Sequence, residues 1–196
     1  MSVVASIVEG DGEVVALPVL LRRLNDWLTP DLYVDVLHPI RVRKDRFLNR
    51  VDEFRRHLLL ARGKAGAGGW ILILLDSDDD CPAQKSAEVL ARALAVVPDA
   101  RVAIVFANRE FEAWFIAAAT SLNGVRGFQS RQGDERCDPE LPRNAKGWVK
   151  ERMPGGYGEV TDQPALTARL DLHLAHAKSR SFRKLCSEWR RKVLYE

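Results

Sequence analysis

Cysteine is scarce in this chain: its 196 residues include three, Cys81, Cys137 and Cys186, with no CxxC and no Cys/His ligand spacing. An odd, scattered set excludes a disulfide framework and a zinc site, and fits a reducing cytosol. Long apolar runs are also missing, none approaching the roughly 20 residues that a membrane span needs. The short apolar stretch after Met1 ends at Glu9, so neither a signal peptide nor an anchor is expected, and the expected location is cytoplasmic. Net charge is nearly absent: 30 Lys and Arg against 27 Asp and Glu leave +3, which says little about partners. There is no internal repeat and no low-complexity tract. Three familiar loops are incomplete. Gly10 and Gly12 follow an apolar run, but Val15 stands where a dinucleotide fingerprint has its third glycine. Gly63-Lys64 comes before a strand and is followed by Ala65, so there is no P-loop and ATP hydrolysis by this chain is not expected. Asp76, Asp78 and Asp80 open like an EF-hand, yet Cys81 replaces the loop glycine and Ala87 the bidentate glutamate.

What is present is an alternation of apolar runs and helical stripes. Val3 to Val8 predicts a buried strand that stops at the turn-forming Glu9-Gly10-Asp11-Gly12. Val14, Leu17, Leu21, Leu24 and Leu28 then recur at helical spacing before Pro30. A second strand is predicted over 32–37, and Phe47, Val51, Phe54 and Leu58 form the next helical stripe. A glycine-rich linker, 63–69, delivers the chain into Trp70 to Leu75, apolar on both faces as a central parallel strand requires. Pro82 opens a helix carrying Ala87, Leu90, Leu94 and Val97, and Arg101 to Ala107 is the fourth strand. The expected fold is α/β: a mostly parallel, four-stranded sheet flanked by helices, with ligands at the carboxyl ends of its strands. Residues 1–122 hold this unit. In 123–196, a stretch from 123 to 164 with seven of the 13 glycines and four of the nine prolines predicts a substrate-facing excursion. Two helical stretches follow, one with Leu166, Leu170 and Leu174 and one with Phe182, Leu185 and Trp189, packing on the same domain as a C-terminal extension.

Acidic residues fall where such a sheet builds sites. Glu9 ends the first strand, Asp76 and Asp78 end the third, and Glu110 and Glu112 follow the fourth, while Glu13 lies one helical turn beyond Glu9. Carboxylates delivered to one edge repel unless a cation joins them, and hard oxygen donors suit Mg²⁺ or Mn²⁺. Read alone, the four acids of 76–80 are equally well a solvated, helix-capping loop.

Ile7-Val8-Glu9-Gly10-Asp11-Gly12-Glu13 resembles the first TOPRIM motif, and Leu74-Leu75-Asp76-Ser77-Asp78 resembles its hydrophobic strand ending in DxD. The chain resembles the TOPRIM unit of the overcoming-lysogenization-defect (OLD) nucleases. It is similar in length to a stand-alone TOPRIM-like family that also carries segments like Glu110-Phe111-Glu112-Ala113-Trp114-Phe115 and Ser179-Arg180-Ser181-Phe182. The resemblance implies a Rossmann-like TOPRIM fold, with Glu9 as general acid or base and Asp76 and Asp78 as catalytic metal ligands. Glu9, Glu13, Asp80 and Glu112 complete the candidate ligand set.

Charge is also unevenly spread. Residues 41–62 hold eight cations against three acids, and residues from His176 to the end hold seven against two. Arg41, Arg43, Lys178, Arg180 and Arg183 are the candidate contacts to a phosphate backbone, although basic helix faces are commonly only solvated. The expected activity is metal-dependent hydrolysis of nucleic-acid phosphodiesters, DNA ahead of RNA, acting with a separate ATPase protein or alone; a homodimer stays open. Two alternatives stand beside it. One is a non-catalytic TOPRIM-like subunit of an ATPase complex, which the resemblance implies because OLD nucleases join TOPRIM and ATPase units. The other is a DxD phosphatase with Asp76 as nucleophile, in which Glu9 has no role.

Overall fold

The computed structural model describes residues 2–194. The apolar runs form one sheet from β1 (Ser2–Val8), β2 (Val34–Val36), β3 (Ile40–Arg41), β4 (Trp70–Asp76) and β5 (Arg101–Ala107). Its order is β2-β1-β4-β5, with β3 beside β2 on the same flank of β1, and all four pairings are parallel. The sequence predicts four strands. The fifth, β3, arises because Pro39 has no N–H to give the ladder, so the strand beside β1 breaks after Leu37 and resumes at Ile40.

Nine helices surround the sheet among the described residues: α1 (Asp11–Leu28), α2 (Lys44–Asn49), α3 (Val51–Ala65), α4 (Pro82–Val96), α5 (Ala113–Ala117), α6 (Ala145–Lys150), α7 (Glu159–Arg169), α8 (Leu172–Lys178) and α9 (Arg180–Leu194). Side chains alternate along the strands, which gives the sheet two apolar faces. Ala5, Ile7, Ile71, Ile73, Leu75, Ile104 and Phe106 pack under α2, α3 and α4. Val4, Val8, Leu72, Leu74, Ala103 and Val105 pack under α1, α5, α7, α8 and α9. No described helix is long and apolar enough to cross a membrane.

Several predicted faces are corrected. The stripe through Phe47, Val51, Phe54 and Leu58 is split at Arg50, whose backbone is extended, so Val51 begins α3 and is 76% exposed. α3 runs on to Ala65, into the predicted linker, and ends at Gly66, whose φ of 69° is left-handed. On α4 the inward residues are Val89 and Ala93, whereas Ala87 and Leu94 are exposed. The stripe through Leu166, Leu170 and Leu174 breaks between α7 and α8. There the Asp171 carboxylate accepts from His173 N (2.8 Å) and Leu174 N (3.0 Å) and so caps α8.

The stretch 123–164 is not a simple excursion, because Phe128, Ala145, Val149 and Met153 are buried. Its rigid centre is an ion pair. Arg152 donates to both carboxylate oxygens of Asp134 (2.8 and 2.6 Å), and its guanidinium lies 3.3 Å over the Trp148 ring. Burial alone would raise the Asp134 carboxyl, but these bonds hold it below its ordinary value. Asp134→Ala removes both carboxylate bonds from Arg152, whose side chain is 9% exposed, and leaves its charge the Trp148 carbonyl at 3.1 Å and Glu151 at 3.9 Å. It is expected to cost roughly 3–5 kcal/mol in urea unfolding, and a cost below about 1 kcal/mol would show that the pair does not organise this stretch.

Candidate metal centre

Because β4 lies between β1 and β5, the residues leaving these three strands meet at one edge. Asp76 is the last residue of β4, Glu9 follows β1, Glu13 lies in the first turn of α1, and Glu110 and Glu112 follow β5. Their proximity is visible in their acidity. Asp76 is held well above the ordinary carboxyl range, first by burial and then by Glu13, Glu112, Glu9 and Glu110. Burial also raises Glu9, with Lys44 opposing and Asp78 and Glu13 adding, and it raises Glu13 against the Gly10 N–H and Gln163. Glu112, 1% exposed, is pushed up to about 7 by burial against the pull of Lys146 and Tyr157.

Four of these five carboxylates, all but Glu9, accept a hydrogen bond from a local donor. Asp76 Oδ1 accepts from Phe111 N (2.9 Å), Glu112 Oε1 from the Tyr157 hydroxyl (2.9 Å), and Glu110 Oε2 from Lys146 N (2.7 Å). Glu13 accepts from Gly10 N. Lys146 Nζ reaches Glu159 at 3.1 Å. Asp78 and Asp80 lie on an exposed turn; Asp78, whose charge raises Glu9, pairs with Lys44 Nζ at 2.5 Å. The turn is strained: Asp78 (φ 48°) and Arg109 (φ 63°) are both left-handed without being glycine. Arg109 secures it by donating its N–H to Ser77 Oγ (2.9 Å) and its guanidinium to Asp78 O (3.1 Å) and Asp79 Oδ1 (2.5 Å).

The donor set is all oxygen and carries far more negative than positive charge, which suits a hard divalent cation in chemistry. Among the described residues no group of three or more His, Cys, Asp or Glu side chains is disposed to hold a metal ion.

Residues 8–189 match the model of one family, Domain of unknown function (DUF4276). The chain belongs to the DUF4276 family. Among solved structures it is similar to the C-terminal region of the Burkholderia pseudomallei OLD protein, with 17% identity over 97% of this chain and 98% of that one and a TM-score of 0.48. The search of curated proteins returned no match.

In this DUF4276 chain the two late segments singled out from the sequence are structural and touch each other. Trp114 and Phe115 are fully buried; the Trp114 indole N–H donates to Ser181 Oγ (3.0 Å), and its ring meets Phe182 at 5.3 Å. The basic residues are mostly engaged. Arg41 pairs with Asp11 (2.8 Å) and Arg180 with Glu140 (2.9 Å), Lys178 donates to Glu135 O (2.6 Å), and Arg183 caps α8 through His176 O and Ala177 O (2.9 Å each). Arg43 is exposed beside α2. The residues that the sequence does not reveal are Lys44, Lys146, Tyr157 and Gln163. Gln163 is 1% exposed, and its Oε1 has no partner. It lies so close to α1 that a Cβ on Gly12 would sit 1.9 Å from it, which explains the glycine in that turn.

In the metal-free protein the folded state keeps the Glu112 proton between about pH 4.5 and 7, where the unfolded chain has released it. Glu112 therefore favours folding at low pH, and that contribution is lost as pH rises through about 7. Glu112→Gln, which keeps an acceptor for Tyr157, is expected to match wild type near pH 5 and to exceed it near pH 8 by up to about 3 kcal/mol in urea unfolding. A difference that does not change with pH would remove Glu112 from the acid cluster.

Proposed function

We propose that this chain hydrolyses nucleic-acid phosphodiesters with Mg²⁺ or Mn²⁺ held by Glu9, Glu13, Asp76 and Glu112, with Asp78 and Asp80 from the adjoining turn. The observation that carries this reading is the gathering of four carboxylates, Glu9, Glu13, Glu110 and Glu112, around half-buried Asp76, each making it a weaker acid. Such a cluster is stable only with protons or with a cation, and at neutral pH a divalent cation relieves most repulsion. When bound, the metal supplies charge neutralisation at a phosphate oxygen and a more acidic water. The chain's own groups supply the rest. Glu9, raised towards neutrality, is suited to hold or release a proton, while Lys44 and Lys146 place positive charge beside it. The TOPRIM assignment rests on the motif residues around Glu9 and Asp76. Arg41, Arg43, Lys178, Arg180 and Arg183 are proposed backbone contacts, and DNA is the preferred substrate.

The phosphatase alternative loses weight because Glu9 shares the electrostatic environment of Asp76 and is not a bystander. The hydrogen bonds that four of the carboxylates already accept favour a second reading, a non-catalytic subunit that docks on a separate ATPase.

Calorimetry with Mn²⁺ is expected to show binding to wild type and at least about tenfold weaker binding to Asp76→Asn. On plasmid DNA, single-stranded oligonucleotide and RNA, with and without an ATPase partner, Glu9→Gln is expected to lose roughly 10²–10⁴-fold in rate. Phosphomonoester turnover that survives Glu9→Gln but not Asp76→Asn would overturn the nuclease reading, and silence on every substrate would leave the docking subunit in its place.

For the nucleic-acid contacts, affinity is expected to fall steeply with added salt, and Arg180→Glu with Arg183→Glu to flatten that slope. A salt-independent affinity would reassign those arginines to protein contacts.

A further inference from the structure

A cavity of about 560 Å³ lies on the far side of β5 from the sheet, between the start of α4 and the length of α9. It plays no part in the acid cluster. Its floor is a strand edge. Ser77 N donates to Ala107 O at 2.9 Å, so the peptide groups of Ala107 face β4. Peptide groups of successive strand residues point to opposite sides, so those of Val105 and Ala103 also face β4, while those of Ile104 and Phe106 face outward. Ile104, Phe106 and Asn108 are the β5-side residues of the cavity. Among the described residues no backbone bond from α9 or any other element reaches Ile104 or Phe106 across that edge.

The two walls differ in chemistry. On α4 stand Pro82, Ala87 and Leu90. Ala87 and Leu90 belong to the stripe that the sequence predicts to be buried, yet Ala87 is exposed and Leu90 only half-buried, so this apolar face lacks the partner its composition implies. On α9 stand Arg180, Lys184 and Arg191, opposed by Glu140 and Glu188, so this wall has one positive charge in excess. Glu188 is already bound by both Lys184 (2.6 Å) and Arg191 (2.5 Å).

We propose that β5 accepts an extended segment of a partner protein as a further strand, with apolar and acidic residues alternating. In an added strand successive side chains point to opposite faces of the sheet. Every second residue would therefore meet the apolar α4 wall, and those between would meet the α9 cations. The stretch from Ile104 to Asn108 spans about 13 Å, enough for two outward peptide groups to pair with four or so residues. Unpaired strand edges attract such partners, and the flanking helices, which leave Ile104 3% and Phe106 2% exposed, admit only a narrow one through the cavity.

The probe is a fluorescein-labelled acetylated hexapeptide of alternating leucine and glutamate, titrated into the full-length protein. It is expected to bind at micromolar concentration, and a leucine-lysine version to bind at least about tenfold more weakly because it meets the α9 cations. N-methylation of two backbone amides, which deletes ladder donors only, is expected to weaken binding by roughly tenfold or more. Hydrogen exchange should slow at the amides of Ile104 and Phe106 and stay unchanged at Val105. Ala87→Trp, on the exposed side of α4, should abolish binding while leaving the circular dichroism and Tm of the protein unchanged; Ala83→Trp serves if it does not. Binding that ignores N-methylation, or that leaves Ile104 and Phe106 unprotected, would overturn strand addition. So would no binding of any peptide, or a protein dimer abolished by Ala87→Trp, the latter placing a second copy in the groove.

Discussion

Carboxylates cannot be crowded at the end of an apolar sheet without protons, cations or hydrogen-bond donors to balance them. Three groups from outside the sheet supply part of that balance. The runs that make β1, β4 and β5 are apolar because both faces of the sheet are covered, so each can carry its acids only where it leaves the sheet. Parallel pairing then brings those exits to one edge, and β4 in the middle makes Asp76 the point where the charges meet. Lys44 from α2, Lys146 from α6 and Tyr157 before α7 all converge there. These elements come from distant parts of the chain, and charge balance at one edge gives them a common position.

The C-terminal half has a corresponding mechanical role. Trp189 donates to Thr29 Oγ1 (3.0 Å) and packs edge-on against Trp70 at 5.8 Å, which fixes α9 to the start of the sheet. At the other end, Trp114 and Ser181 tie α9 to the segment that bears Glu112. Glu112 is thus held from one side by an aromatic lock and from the other by Tyr157.

The strands, the order of elements and the acids at the strand ends were legible because each rests on a local pattern: a run of β-branched and aliphatic residues, a turn cluster, an acid at the boundary. Misreadings occurred where a single residue overruled the pattern. Pro39 split a strand, the extended Arg50 turned Val51 outward, and the capping carboxylate of Asp171 divided one apparent helix into two. Lys146, Tyr157 and Gln163 were not legible at all. They lie in a stretch with no periodicity, stabilised by the Arg152–Asp134 pair across 18 positions, and no spacing in the sequence announces such a contact.

β5 connects the acid cluster to the rest of the surface. Its last residues lead into Glu110 and Glu112 on one side, and its outer edge is unpaired where it borders the cavity. The turn beyond it is strained, since Arg109 and Asp78 both hold left-handed backbones and depend on each other's hydrogen bonds to stay there. The strain is offset by bonds between the two loops, Arg109 donating to Ser77 Oγ, Asp78 O and Asp79 Oδ1, and by Lys44 on Asp78. Asn108, at the mouth of the cavity, immediately precedes Arg109. The outer edge of β5 therefore runs, one residue beyond the cavity, into the loop that braces Asp78 and Asp79, so the unpaired edge and these exposed acids share one loop.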